Sequence, residues 1–297
     1  MTALEGSWRE WIVTNLRRRC SQESIVESMV AKDFDPEFAK HVVASLATES
    51  ASYGGNPDVL APAGVVDDAP VSVLRPSGFV MEPSRLPTAN DLEAGDRVVH
   101  VLGRLQKPEV LVLGNLLSDE ECEELIRRSE VKLARSTTID PQTGKEIVIP
   151  NRTSSGTFFP LNEDDFIARL DRRVSELLRW PVDHSEGIQI LRYQVGGEYR
   201  PHFDYFPPEN SGSGPHVSQG GQRIGTLIMY LNDVEDGGET IFPEIGLSVI
   251  PRRGHAVYFG YCNSRNEVDP LTLHGGAPVR QGVKWIATKW LRQHRRV

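Results

Sequence analysis

The pattern of apolar and polar positions changes twice along the chain. Up to residue 50 apolar residues recur every three or four positions. Trp8, Trp11, Ile12 and Leu16 form one stripe, Ile25, Met29 and Val30 a second, and Phe38, Val42, Val43 and Leu46 a third. That spacing stacks side chains on one face of a helix. Ser21 or Ser24 starts the second helix, and Asp35 followed by Pro36 reads as an N-cap and a first-turn proline for the third. Residues 1–50 are therefore expected to form a small helical bundle. So small a unit buries little on its own and is suited to packing on a neighbour or a protein partner.

From 51 to 97 the periodicity fades. Pro57, Pro62, Pro70, Pro76, Pro83 and Pro87 fall here among several glycines, as in a linker or an extended wrap. The main domain is expected over 98–297. It opens with two strand-like runs in "RVVHVLGRLQKPEVLVLGNLL". A helix follows, with Ser118 as N-cap and Glu121 completing a capping box. A second helix carries the stripe Phe166, Leu170, Val174, Leu177 and Leu178 and stops before Pro181. Beyond residue 187 the period drops to two, in "GIQILRYQV", "RIGTLIMYLN", "LSVIP", "HAVYFGY" and "VKWIATKWL", with Gly, Pro and Asn turns between. Helices followed by many short strands define an α+β domain with an antiparallel sandwich or barrel.

Composition narrows the function classes. The 297 residues include 39% hydrophobic and 25% charged side chains, an ordinary globular balance. The formal net charge of −8 leaves no footprint for nucleic acid, and the basic "RQHRRV" end reads as a solvated tail. Cys20, Cys122 and Cys262 lie far apart, are odd in number and have no metal-like spacing, which fits a reducing compartment. The N-terminus lacks the apolar core of a signal peptide and no run reaches the length of a membrane span. The expectation is a cytoplasmic protein with no membrane association.

The chemistry concentrates in "EYRPHFDYF", Glu198 to Phe206. Strand alternation points His202 and Asp204 to the same side. His274, at a strand end before Gly275 and Gly276, offers a third ligand. Two histidines and one carboxylate leave adjacent coordination positions open, as non-haem Fe(II) requires, though zinc accepts the same donors. Lys284 lies in "GVKWIATKWL" on one face with Ile286, Thr288 and Trp290. An ammonium among such neighbours either reaches water at the strand start or meets an anion.

Four segments carry a resemblance: "RTSSGTFF" (152–159), "LRYQVGGEYRPHFDYF" (191–206), "RIGTLIMYLNDVEDGGETIFP" (223–243) and "HGGAPVRQGVKWIATKWL" (274–291). In this order they resemble the prolyl 4-hydroxylase branch of the Fe(II)/2-oxoglutarate-dependent dioxygenases, over about 98–293. The resemblance implies a double-stranded β-helix (jelly-roll) core with supporting helices. It implies an enzyme that hydroxylates a prolyl residue in a peptide or protein, using Fe(2+), 2-oxoglutarate and O2 and releasing succinate and CO2, with ascorbate as a further cofactor. Matched by position, His202, Asp204 and His274 fall on the iron ligands and Lys284 on the lysine for the distal carboxylate of 2-oxoglutarate. Tyr193 falls in the cosubstrate pocket, with Thr226 beside it. The Asp204 carboxylate favours hydroxylation over halogenation. Tyr199 and Trp290 are either substrate walls or core, and Arg152 either reaches substrate or holds a loop. The Gly, Ser and Pro-rich stretch 207–222 is either a lid or a surface connection. Hydroxylation of another residue or a free amino acid, or an inactive binding module, are the alternatives.

Overall fold

The computed structural model describes residues 6–17, 20–32, 34–51 and 79–295. The chain divides into two compact units, Met1–Gly78 and Phe79–Val297.

The smaller unit holds α1 (Gly6–Arg17), α2 (Gln22–Val30) and α3 (Pro36–Ala51). Ser21 caps α2 by accepting from the Ser24 amide, and Asp35 caps α3 by accepting from the Phe38 amide. Their apolar faces meet at Ile12, Ile25, Met29, Ala39, Val43 and Leu46, all buried. Trp8 packs edge-on against Trp11 and Phe34. Val30, expected on the apolar side of α2, is exposed at its last residue.

The larger unit begins at Phe79, ahead of the expected residue 98. The reason is local: Asp91–Glu93 forms a strand that pairs with Val98–Leu105 and extends the main sheet. Leu86 and Leu92, from the proline-rich stretch, enter the core. Residues 52–78 of that stretch, with Val71, Val73 and Leu74, lie outside the described residues.

Eight strands build the centre: β1 (Ile188–Tyr193), β2 (Tyr199–His202), β3 (Arg223–Tyr230), β4 (Thr240–Phe242), β5 (Leu247–Val249), β6 (Ala256–Gly260), β7 (His274–Gly276) and β8 (Lys284–Arg292). One sheet runs β6-β3-β8-β1 and the other β5-β4-β7-β2, with every pair antiparallel. First pairs with last, second with seventh, third with sixth and fourth with fifth. A long hairpin folded over in this way is the jelly roll, or double-stranded β-helix. The first sheet grows to nine strands: Glu109–Gly114, Val98–Leu105 and Asp91–Glu93 continue beyond β6, and Ser155–Phe159 and Ala134–Arg135 beyond β1.

Alternation along the strands separates two cores. On β3, Leu227 and Met229 join one cluster, with Ile188 and Ile190 of β1, Ala287 of β8, and the helices α4 (Asp119–Glu130) and α5 (Asp165–Leu178). Leu170, Val174, Leu177 and Leu178 of the α5 stripe insert there, each burial stabilising by about 1.5–3 kcal/mol. Ser118 and Glu121 form the expected capping box on α4. Ile228 and Tyr230 face the opposite way and meet Phe242, Val249, Phe259 and Ile286 between the two sheets. The candidate site lies on this inner side.

Candidate metal centre and its cavity

His202 closes β2 and His274 opens β7, and the two residues are direct partners across the strand pair. Gly275 allows the close approach of these strands, since a Cβ there would stand 2.9 Å from the Tyr199 carbonyl oxygen. Asp204 follows two residues after His202. Its Oδ1 lies 3.5 Å from His202 Nε2 and its Oδ2 3.6 Å from His274 Nε2. One donor atom from each of the three lies within 4.8 Å of the others. Small side-chain adjustments bring such a set to the 2.0–2.2 Å or so that metal bonds require. Among the described residues this is the one group of three His, Cys, Asp or Glu side chains so placed.

The hydrogen bonds prepare it for an ion. His202 Nδ1 lies 2.9 Å from the Arg200 carbonyl and His274 Nδ1 3.0 Å from the Thr272 carbonyl. A carbonyl only accepts, so Nδ1 carries the proton and Nε2 presents its lone pair inward, the tautomer a ligand needs. Burial pushes the His274 pKa down to about 4, against the pull of Asp204, so the ring is neutral at physiological pH. Burial alone would raise Asp204. The imidazoles when they carry a proton on Nε2, and the Arg223 guanidinium, outweigh it and hold the carboxyl well below its usual range. Two imidazoles beside one carboxylate suit a divalent ion with open positions. The residues present therefore fit the Fe(II) that the sequence implies.

A cavity of about 820 Å³ opens from this centre between the sheets. The inward residues of β8 (Lys284, Ile286, Thr288, Trp290 and Arg292) line it in period two. Lys284 is 3% exposed. Burial lowers its pKa to about 8, with Glu239 opposing. Its Nζ has no hydrogen bond or ion pair among the described residues, and sits 5.6 Å from the ring of Tyr193, its cross-strand partner. A buried ammonium without an anion is costly, which marks this part of the cavity as an anion subsite. Tyr193 is itself buried on the cavity wall, and burial raises its phenol pKa.

Of the other expected residues, Tyr199, Arg152 and Trp290 all line the cavity. Tyr199 stacks on the His202 ring with 3.6 Å between centroids. Arg152 lies over Tyr199 and donates to the Thr137 carbonyl and to Gln189. It therefore both lines the cavity and fastens the segment before it. Thr226 is buried in β3, and its hydroxyl donates to Asp204 Oδ2 at 2.7 Å, beside the metal centre.

Three lining residues escaped the sequence reading. Arg223 pairs with Glu186 through bonds of 2.7 and 3.0 Å, stacks 3.9 Å from the Trp290 ring and donates to the Asp204 carbonyl at 3.2 Å. Arg292 approaches the same Glu186 carboxylate at 3.4 Å. The available signal was Arg292 itself, which continues the Lys284 alternation by one more inward position. At the mouth, segment 207–222 forms two short turns (Ser211–Ser213 and Gly214–Val217) that dock on another loop. The Gly212 amide donates to the Pro141 carbonyl, and His216 Nε2 lies 2.7 Å from the Gly144 carbonyl. Residues from both loops line the cavity.

Fold and donor set together define a class. A sequence profile described as the 2OG-Fe(II) oxygenase superfamily matches residues 188–292, the stretch from β1 through β8. The chain is an Fe(II)/2-oxoglutarate-dependent oxygenase. It is 37% identical over 234 residues to prolyl 4-hydroxylase 5 of Arabidopsis thaliana, covering 72% of this chain and 78% of that one. It is 40% identical over 216 residues to probable prolyl 4-hydroxylase 3 of the same plant, covering 66% and 73%. Among solved structures, a viral collagen prolyl hydroxylase from Paramecium Bursaria Chlorella virus-1, in a 2OG complex, is 28% identical with a TM-score of 0.49, covering 62% of this chain and 95% of that one. The chain belongs to the prolyl 4-hydroxylase family.

Proposed function

We propose that this protein hydroxylates prolyl residues in a peptide or protein, with His202, Asp204 and His274 holding Fe(II) and Lys284 holding the distal carboxylate of 2-oxoglutarate. The observation that carries the reading is the buried Lys284 ammonium, without a hydrogen bond or ion pair among the described residues, lining the same cavity as a three-donor metal centre. When bound, iron, 2-oxoglutarate and O2 supply the oxidation: the keto acid leaves as succinate and CO2, and one oxygen atom enters a substrate C–H bond.

The chain's own residues do three things. The two Nδ1–carbonyl bonds fix the imidazoles, so the ligands are set before the ion arrives. Lys284 at the start of β8 and Tyr193 opposite it form a subsite of positive charge and aromatic surface that orients a dicarboxylate. Trp290, Tyr199 and the Arg223–Glu186 pair build a wall of flat, partly charged surface on which an extended peptide can lie. The docked 207–222 loop shields the cavity mouth from water. Ascorbate belongs to the proposal as the reductant that keeps the iron ferrous. The same groups would serve hydroxylation at another residue, the second reading. No helix among the described residues is long and apolar enough to cross a membrane.

The deciding experiment is mass spectrometry of a proline-rich peptide library after incubation with Fe(II), 2-oxoglutarate and ascorbate. The expected result is a gain of one oxygen at proline that His202→Ala abolishes. Gain only at other residues favours the second reading.

A further inference from the structure

Asp204 is held from behind by two hydroxyls. Its Oδ2 accepts from Thr226 Oγ1 at 2.7 Å, and that same Oγ1 lies 3.0 Å from the Tyr261 hydroxyl. The proton directions follow from the chemistry of the groups. An ionised carboxylate only accepts, so the Thr226 proton points to Asp204. With that proton engaged, Thr226 accepts from Tyr261. The order is Tyr261 O–H to Thr226 Oγ1, then Thr226 O–H to Asp204 Oδ2.

The relay is buried and stiff. Thr226 is 0% and Tyr261 1% exposed, so water does not compete for either hydroxyl. Thr226 sits inside β3, opposite Phe259 of β6 and Trp290 of β8. Its branched Cβ restricts the rotamers that can carry the hydroxyl. The Tyr261 ring packs 5.9 Å from both Tyr205 and Phe259.

We propose that Thr226 and Tyr261 are positioning residues that make Asp204 a one-oxygen ligand. The relay fixes Oδ2 and leaves Oδ1, the oxygen facing His202 Nε2, for the ion. Freed from it, the carboxylate can turn and chelate through both oxygens, taking a coordination position that cosubstrate and O2 need. The inference rests on the reading of His202, Asp204 and His274 as the metal ligands. It gives Thr226 a role through Asp204.

The test uses Mn2+ alone as the probe, bound to the full chain and followed by the electron paramagnetic resonance of the free ion. Thr226→Val keeps the shape and removes the hydroxyl; Thr226→Ser keeps the hydroxyl. Loss of a hydrogen bond to a ligating group weakens metal binding by about 10–100-fold, which is the change expected for Thr226→Val. Thr226→Ser should stay close to wild type, and Tyr261→Phe should fall between. The double variant Thr226→Val/Tyr261→Phe should bind no more weakly than Thr226→Val alone, since one relay is lost once. With Co2+ as probe, the visible absorption should change in Thr226→Val and not in Thr226→Ser. Wild-type affinity in Thr226→Val overturns the relay, and so does an equal loss in Thr226→Ser, which would point to packing. If Thr226→Val does not fold, Tyr261→Phe decides, and unchanged Mn2+ affinity there overturns the proposal. A wild-type chain that binds no Mn2+ overturns the metal centre as well, whereas normal binding in every variant removes the relay alone.

Discussion

His202 and His274 face each other as direct partners across two antiparallel strands, with ring centroids 4.5 Å apart. Two of the three metal donors therefore come from one rung of one strand pair, and the third from the residue two beyond His202. The pairing that builds the small sheet also assembles the site. His274→Ala should lower Mn2+ affinity by at least about 100-fold and abolish succinate formation, while leaving the thermal unfolding transition within a few degrees. Isothermal titration and a melting curve check the two halves of this statement.

Lys284 gives a pH signature. Its ammonium is charged in the ligand-free protein below about pH 8. Above that, binding the distal carboxylate of 2-oxoglutarate requires proton uptake. The apparent Kd for 2-oxoglutarate should then rise with pH, by up to about tenfold per unit. Below pH 8 it should be flat with respect to this group. A hydrogen bond to a charged group contributes about 1.5–3 kcal/mol, so Lys284→Met should raise Kd by roughly 10–100-fold and flatten the profile. A slope that survives in Lys284→Met would assign the titration elsewhere.

Trp290 and Arg223 form the flat wall of the cavity, with the guanidinium carbon 3.9 Å from the indole. Trp290→Ala should raise the KM for a peptide substrate about tenfold, because aromatic anchors dominate peptide contacts. The KM for 2-oxoglutarate should change by less than about twofold. Steady-state kinetics with each substrate varied in turn separates the two effects.

One buried pair bears on stability alone. Lys289 points away from the cavity and donates to Asp171 on α5 at 2.7 Å and to the Glu186 carbonyl at 2.8 Å. Both side chains are essentially inaccessible. Asp171→Ala strands the ammonium and should cost about 3–5 kcal/mol in urea unfolding. Lys289→Met combined with Asp171→Leu should recover most of that loss, which a simple cavity effect would not.

Period-two alternation marks the strands and places His202 with Asp204, and Lys284 with Trp290, before any fold is known. The jelly roll, and His274 as the third member of the triad, follow from the resemblance of the four segments. Alternation cannot say which strands become neighbours. The resemblance puts Thr226 beside the cosubstrate pocket, but its partner Asp204 lies on a segment brought against β3 only by the folded-hairpin topology. Glu186, Arg223 and Arg292 belong to β1, β3 and β8 or their ends, strands far apart in the chain and adjacent in the sheet. No local pattern shows that three such charges meet. The larger unit starts ahead of residue 98 without a sequence signal, because Asp91–Glu93 is a three-residue edge strand, too short for alternation to reveal.

The central claim is that one cavity joins an iron centre to a prolyl substrate through 2-oxoglutarate. Its most direct test measures succinate and hydroxyproline together, with a proline-containing peptide, Fe(II) and limited 2-oxoglutarate. The account predicts about one hydroxyproline per succinate, with both products lost in Asp204→Ala and both restored at high 2-oxoglutarate in Lys284→Met. Succinate without hydroxyproline on any proline peptide, or hydroxyproline that persists in Asp204→Ala, would contradict it.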